Sequence, residues 1–130
     1  MARVMVVDDS PTDKEFLKQA LIRAGHSVLE AASGEDALAL VRTQRPDCVV
    51  MDVVMPGLNG FQATRMLSRD PITAVIPVII VSSKNQETDR VWALRQGARD
   101  YLVKPVNLVE LLGKIHVVLG LPGEPDYGKS

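Results

Sequence analysis

Five short runs of β-branched and other apolar residues recur along the chain: Arg3 to Val7, Ser27 to Glu30, Asp47 to Asp52, Val78 to Ser82 and Tyr101 to Val103. They are nearly continuous in apolar character rather than alternating, as strands buried on both faces require. Longer stretches of helical period separate them. Phe16, Leu17, Ala20, Leu21 and Ala24 make the apolar face of a first helix, with Ser10 as N-cap, Pro11 at its first position and Gly25 at its end. Ser33 caps a second helix with Asp36 as a short-armed partner; Ala37, Leu38 and Val41 share its face, and Pro46 stops it. A third helix starts near Phe61. A fourth is expected from Gln86 to Gln96, closed by Gly97. A fifth, capped by Asn107, carries a stripe of Leu108, Leu111, Leu112, Ile115, Val118 and Leu119.

Five strands alternating with five helices, joined by right-handed crossovers, specify an α/β fold built on a doubly wound parallel sheet. Such sheets gather ligands at the carboxyl ends of their strands, beside the point where strand order reverses. Residues 1–120 form the expected domain. Residues 121–130 hold Pro122, Gly123, Pro125 and Gly128 with almost nothing to bury, and are expected to be a flexible tail.

Composition narrows the function classes. The chain has 130 residues, 46% hydrophobic and 24% charged, which suits one globular domain. Fifteen Lys and Arg against sixteen Asp and Glu leave a net charge of −1, so no basic surface is available for nucleic acid. No apolar run approaches the roughly 18 residues of a membrane span, and none resembles a signal-peptide core. A lone Cys48 inside a strand run reads as an inert core residue, and the expected compartment is the cytoplasm.

The chemistry lies at the strand ends. The first strand closes on Asp8-Asp9, the third on Asp52, the fourth on Ser82 and the fifth on Lys104-Pro105. Singly, each carboxylate reads as a solvated turn or a helix cap. Together they would repel by roughly 4 kcal/mol per pair at 4 Å and an effective dielectric of 20. Either one takes a proton or a cation enters, and an all-oxygen donor set favours Mg²⁺, with Mn²⁺ as its substitute. A site of Asp8, Asp9 and Asp52 would leave coordination positions open to a phosphoryl oxygen. Lys104 supplies a mobile charge for that oxygen, Ser82 a hydroxyl donor, and Asp52 the carboxylate nucleophile for an aspartyl phosphate. The loop Asp8-Asp9-Ser10-Pro11-Thr12-Asp13 has no Gly-x-Gly-x-x-Gly and no P-loop lysine, which speaks against dinucleotide and flavin phosphates.

Four motifs extend this reading: Val6-Val7-Asp8-Asp9-Ser10; Met51-Asp52-Val53-Val54-Met55-Pro56-Gly57; Val81-Ser82-Ser83; and Gly97 to Pro105. In them the chain, over residues 2 to about 120, resembles the receiver domains of two-component response regulators of the CheY type. The resemblance implies a flavodoxin-like sheet of order 2-1-3-4-5. It also implies a histidine kinase of the CheA kind as phosphodonor, Asp52 as acceptor, and Mg²⁺ held by Asp8 or Asp9 together with the Val54 carbonyl. Lys104 would contact the phosphoryl group, with a cis bond to Pro105. Ser82 and Tyr101 match the family's switch pair, so that Tyr101 turns inward on phosphorylation and remodels the face of the fourth helix, fifth strand and fifth helix for a protein partner. The stretches Gly57 to Arg65 and Asn85 to Trp92 look closest to regulators of type IV pilus twitching motility. Ser82 stands where many members have Thr, which keeps the hydroxyl and loses a methyl. An output domain normally follows such a receiver; here a short Pro/Gly stretch does, so the expected output is a binding event by a monomer or weak dimer.

An aspartate-nucleophile phosphohydrolase would need an acid/base Asp two residues after the nucleophile, where this chain has Val54. The expected chemistry is therefore self-phosphorylation and autodephosphorylation without turnover. A phosphate-independent binding module would keep its partner affinity in Asp52→Asn. Trp92, as a lone aromatic, reads as core, with a partner contact at the rim as the alternative. His26 and His116 carry no catalytic reading.

Overall fold

The computed structural model describes residues 2–121. Its elements are β1 (Arg3–Val7), α1 (Pro11–Arg23), β2 (Ser27–Ala31), α2 (Gly34–Gln44), β3 (Cys48–Met51), α3 (Gly60–Arg69), β4 (Val78–Ser82), α4 (Glu87–Arg95), β5 (Asp100–Val103) and α5 (Leu108–Val118). All sheet pairings are parallel, in the order β2-β1-β3-β4-β5. This is the expected architecture. The expected tail falls from residue 122 onward outside the described residues.

The two faces of the sheet bury different helices, and the alternation of side chains along each strand decides which residue serves which face. Met5, Val7, Val49, Met51, Val78 and Ile80 pack beneath Ala37 and Val41 of α2, Ala63 and Leu67 of α3, and Ala93 of α4. Val4, Val6, Cys48, Val50, Ile79 and Val81 meet Leu17 and Leu21 of α1 and Leu111, Leu112 and Ile115 of α5. Both faces being covered explains why the strand runs are continuously apolar.

Local signals place the helix starts. Ser10, Ser33 and Asn107 each accept a hydrogen bond from the backbone N–H three residues on, at 3.3, 3.1 and 3.0 Å. Asn59 and Gln62 form a reciprocal capping box at the start of α3, with both bonds at 2.9 Å. Strand edges move slightly from expectation. Asp47 stands before β3, where its carboxylate accepts from the Arg3 N–H at 2.8 Å, and Asp52 stands just after it.

Two aromatics lie on the surface rather than in the core. Phe16 is 52% exposed, because α1 turns Leu17, Ala20 and Leu21 inward and leaves Phe16 one step around the helix. Trp92 is 48% exposed, which corrects its reading as core. Within α4 only Ala93 is buried, so Val91, Trp92 and Leu94 all face outward. His26 proves structural: its Nδ1 accepts from the Ala2 N–H at 3.2 Å. No helix among the described residues is long and apolar enough to cross a membrane.

Candidate functional site

Register brings the strand ends level. Val7 pairs with Met51, Met51 with Ile80, and Ser82 with Val103, so the residues just beyond them open on one edge. Asp52 is fixed there by its own backbone, whose N–H donates to the Val7 carbonyl at 2.9 Å. Lys104 is fixed likewise, donating its N–H to the Ser82 carbonyl at 2.8 Å. Its peptide bond to Pro105 is cis.

Asp8, Asp9 and Asp52 converge: one carboxylate oxygen from each lies within 4.8 Å of the others. Asp8 and Asp52 are buried, whereas Asp9 is exposed. Asp8 Oδ1 accepts from the Ser10 N–H at 2.9 Å, and Asp52 Oδ1 from the Val53 N–H at 2.8 Å, which holds both carboxylates in place. Opposite them the Lys104 ammonium stands 3.1 Å from Asp8 Oδ2, 2.8 Å from Asp13 Oδ2 and 3.6 Å from Asp52 Oδ2. Val54 lies two residues past Asp52 with its side chain exposed.

The electrostatics show how crowded this pocket is. Burial, and then the Asp8 charge, push the Asp52 carboxyl up to about 6, while Lys104 and the Val53 amide pull the other way without cancelling the rise. Burial also disfavours the charged form of Lys104, yet its hydrogen bonds to Asp13 and Asp8 outweigh that and hold its pKa above the lysine range. The donor set fits a hard divalent cation: three carboxylates, no sulfur or imidazole, and an acid whose pKa is raised by burial and then by a neighbouring negative charge. Ligands must be deprotonated, so a metal held by Asp52 would compete with its proton. Mg²⁺ at a hundredfold excess over its Kd is therefore expected to stabilise the fold by about 2.7 kcal/mol at pH 7.5. At pH 5 the gain in thermal midpoint should be much smaller. An equal gain at both values would place the bound ion away from Asp52.

Ser82 and Tyr101 meet through the β4–α4 loop rather than at the carboxylates. The buried Ser82 Oγ accepts from the Lys84 N–H at 3.1 Å, and the Tyr101 hydroxyl donates to the Lys84 carbonyl at 2.7 Å. Tyr101 is 5% exposed, and the Lys84 carbonyl holds its ring in this inward position.

Two contributors escaped the sequence reading. Asp13 holds Lys104, but its place three residues after the Ser10 cap made it look like an ordinary first-turn acid. Glu35, at the start of α2, accepts from the Leu58 N–H at 3.1 Å and so ties α2 to the β3–α3 loop that follows Asp52.

Comparison with known proteins agrees with this geometry. A family model described as response regulator receiver domain matches residues 4–116. Protein PilH of Pseudomonas aeruginosa is 59% identical over 119 residues, covering 92% of this chain and 98% of that protein. The transcriptional regulatory protein AfsQ1 of Streptomyces coelicolor is 41% identical over 119 residues, 92% of this chain but 52% of its own length. The Vibrio cholerae chemotaxis protein CheY4 superposes with a TM-score of 0.84 at 30% identity, over 91% of this chain and 98% of that one. The receiver domain of a Pseudomonas aeruginosa sensor histidine kinase superposes at 0.85 with 28% identity, over 92% and 98% respectively, and carries a magnesium ion coordinated in its active-site cleft. An acidic cluster facing a lysine on a 2-1-3-4-5 sheet, matched by that model over most of its length, makes this chain a member of the response regulator receiver domain family, whose domains bind Mg²⁺, take a phosphoryl group from a histidine kinase and signal to a partner.

Proposed function

We propose that Asp52 is the phosphoacceptor of this receiver and that the phosphorylated chain signals by binding a protein partner. What supports the reading is the convergence of Asp8, Asp9 and Asp52 against Lys104 at the carboxyl edge of the sheet. A carboxylate oxygen of Asp52 attacks the phosphorus of a phosphohistidine. A P–O bond forms as the P–N bond breaks, and the imidazole nitrogen keeps the electron pair and takes a proton. A divalent ion, Mg²⁺ or in its place Mn²⁺, held by Asp8, Asp9, Asp52 and the Val54 carbonyl, supplies charge neutralisation on the transferred group. Lys104 swings to a phosphoryl oxygen, exchanging one anion for another at short range. Ser82 gives up the Lys84 N–H and donates its hydroxyl to a second phosphoryl oxygen. Because Tyr101 bonds the same Lys84, any move of that loop changes the hold on Tyr101 and with it the surface of α4 and β5.

That surface is suited to a partner. Val91, Trp92, Leu94 and Val103 are exposed there, and tryptophan is among the residues most enriched in interface hot spots. The 59% identity to PilH, together with the resemblance of residues 57–65 and 85–92 to twitching-motility regulators, favours a type IV pilus pathway fed by a CheA-like kinase. We place the chain in the cytoplasm, with which a buried free thiol at Cys48 is compatible. A phosphohydrolase is disfavoured, since Val54 offers no acid where that chemistry needs one.

Intact-mass measurement after incubation with acetyl phosphate tests the reading. One phosphoryl group per chain is expected with Mg²⁺, and none when the metal is chelated. No adduct with Mg²⁺, or an equal adduct in chelator, would refute it.

A further inference from the structure

We propose that Asp13 is a positioning residue for Lys104, holding its ammonium off Asp52 so that this carboxylate stays available to a divalent cation. This rests on the phosphoacceptor reading for its purpose, though not for its test. Three contacts carry it. Lys104 Nζ reaches Asp13 Oδ2 at 2.8 Å and Asp8 Oδ2 at 3.1 Å, but stands 3.6 Å from Asp52 Oδ2, beyond hydrogen-bond reach. The ammonium therefore leans toward α1 and away from the nucleophile.

Both ends of the lean are anchored. Lys104 is tied through its backbone to β4, at the Ser82 carbonyl. Asp13 is tied through its N–H to the Ser10 cap, at 3.3 Å, which leaves its carboxylate free to reach across from the first turn of α1. Asp13 is half exposed, with 47% of its side chain accessible, whereas that of Asp8 is 2% accessible. Its contact can thus be released without unfolding anything. An ammonium and a divalent ion compete for the same oxygens of Asp8 and Asp52, since each neutralises the same excess charge. With Asp13 removed, Lys104 has only Asp8 and Asp52 to bond, and closing the 3.6 Å gap to Asp52 is its nearest remedy. Once a phosphoryl group is present, Asp13 becomes a rival acceptor for that ammonium, so the same contact also limits how firmly Lys104 clamps the modified residue.

Calorimetric Mg²⁺ titration of the unphosphorylated full chain decides the matter. Asp13→Asn is expected to weaken Mg²⁺ about fivefold or more, where loss of a bare surface charge moves it about twofold. Glu15→Gln supplies that bare-charge control, because Glu15 lies on the same helix, is exposed and bonds Gln19 rather than Lys104. Asp13→Glu, which keeps the carboxylate, should restore wild-type affinity. In a Lys104→Met background the extra loss caused by Asp13→Asn should vanish, leaving only the control value. An Asp13→Asn effect no larger than that of Glu15→Gln, one that persists undiminished beside Lys104→Met, or an Asp13→Glu variant as weak as Asp13→Asn would each overturn the proposal. Because no phosphodonor is present, these results stand apart from whether Asp52 is the acceptor, which labelling of the Asp52→Asn variant reports.

Discussion

Asp52→Asn is expected to abolish labelling by acetyl phosphate while making the metal-free protein more stable at neutral pH. The two effects have one cause. An amide oxygen is a poor nucleophile toward phosphorus, so the acyl phosphate cannot form at position 52. The same substitution removes a charge that burial and Asp8 oppose. Asp52 takes up its proton at about 6 in the fold against 3.8 for the free side chain, so between those values the native state binds more protons than the unfolded chain. Stability therefore falls as pH rises from about 4 to about 6 and stays low above it, by on the order of 2–3 kcal/mol at 1.36 kcal/mol per unit. Asn carries no such charge, and denaturation of the variant should lose this slope. A steep slope retained in Asp52→Asn would assign it to another group. Labelling that survives the substitution would displace Asp52 as the acceptor.

Gly60→Ala is expected to cost at least about 3 kcal/mol, the upper range for overpacking against an unyielding neighbour. A Cβ at Gly60 would lie 2.0 Å from the Asp52 carbonyl oxygen, 2.8 Å from the carbonyl carbon and 2.9 Å from Val53 Cα. All three are backbone atoms, so no rotamer change relieves the clash; either α3 or Asp52 must move. The Gly60 N–H also donates to the Val53 carbonyl at 2.9 Å, which ties the start of α3 to the residue after Asp52. A folded remnant of this variant should consequently bind Mg²⁺ and label poorly. Gly113→Ala is the control: it lies inside α5 with nothing within 4 Å of the new methyl, and should gain about 0.5–1 kcal/mol from helix propensity. Equal stability of the two variants in urea would mean that α3 does not bear on Asp52 as closely as this.

Most of the fold could be read in one dimension because its signals are local. A parallel sheet covered on both faces needs continuous apolar runs, and Val4 to Val7, Cys48 to Met51 and Val78 to Val81 supply them without alternation. Caps at Ser10, Ser33 and Asn107 announce helices through their own side chains. The Asn59–Gln62 box follows the same grammar and could have been found the same way. The core of the site was readable for a topological reason: each of Asp8, Asp52, Ser82 and Lys104 stands at a strand's carboxyl end, and the architecture makes those ends meet.

What escaped depends on distance in three dimensions. Apolar periodicity fixes a helix face only to within a residue or so, about 100° of rotation, which is how Phe16 came to lie outside, whereas Trp92 was read as core from the usual burial of tryptophan and stands exposed. Asp13 and Glu35 act on partners 91 and 23 residues away, and both sit in helix first turns where an acid has a sufficient local reason to be. The inward Tyr101 depends on where the Lys84 carbonyl falls in a loop whose path no pattern specifies.

The most direct check is chemical. Borohydride reduces an acyl phosphate to the alcohol, so the chain labelled with acetyl phosphate and Mg²⁺, reduced and digested, should yield homoserine at position 52 and unmodified aspartate at 8, 9 and 13. Homoserine at any of those other positions, with residue 52 intact, would contradict the account.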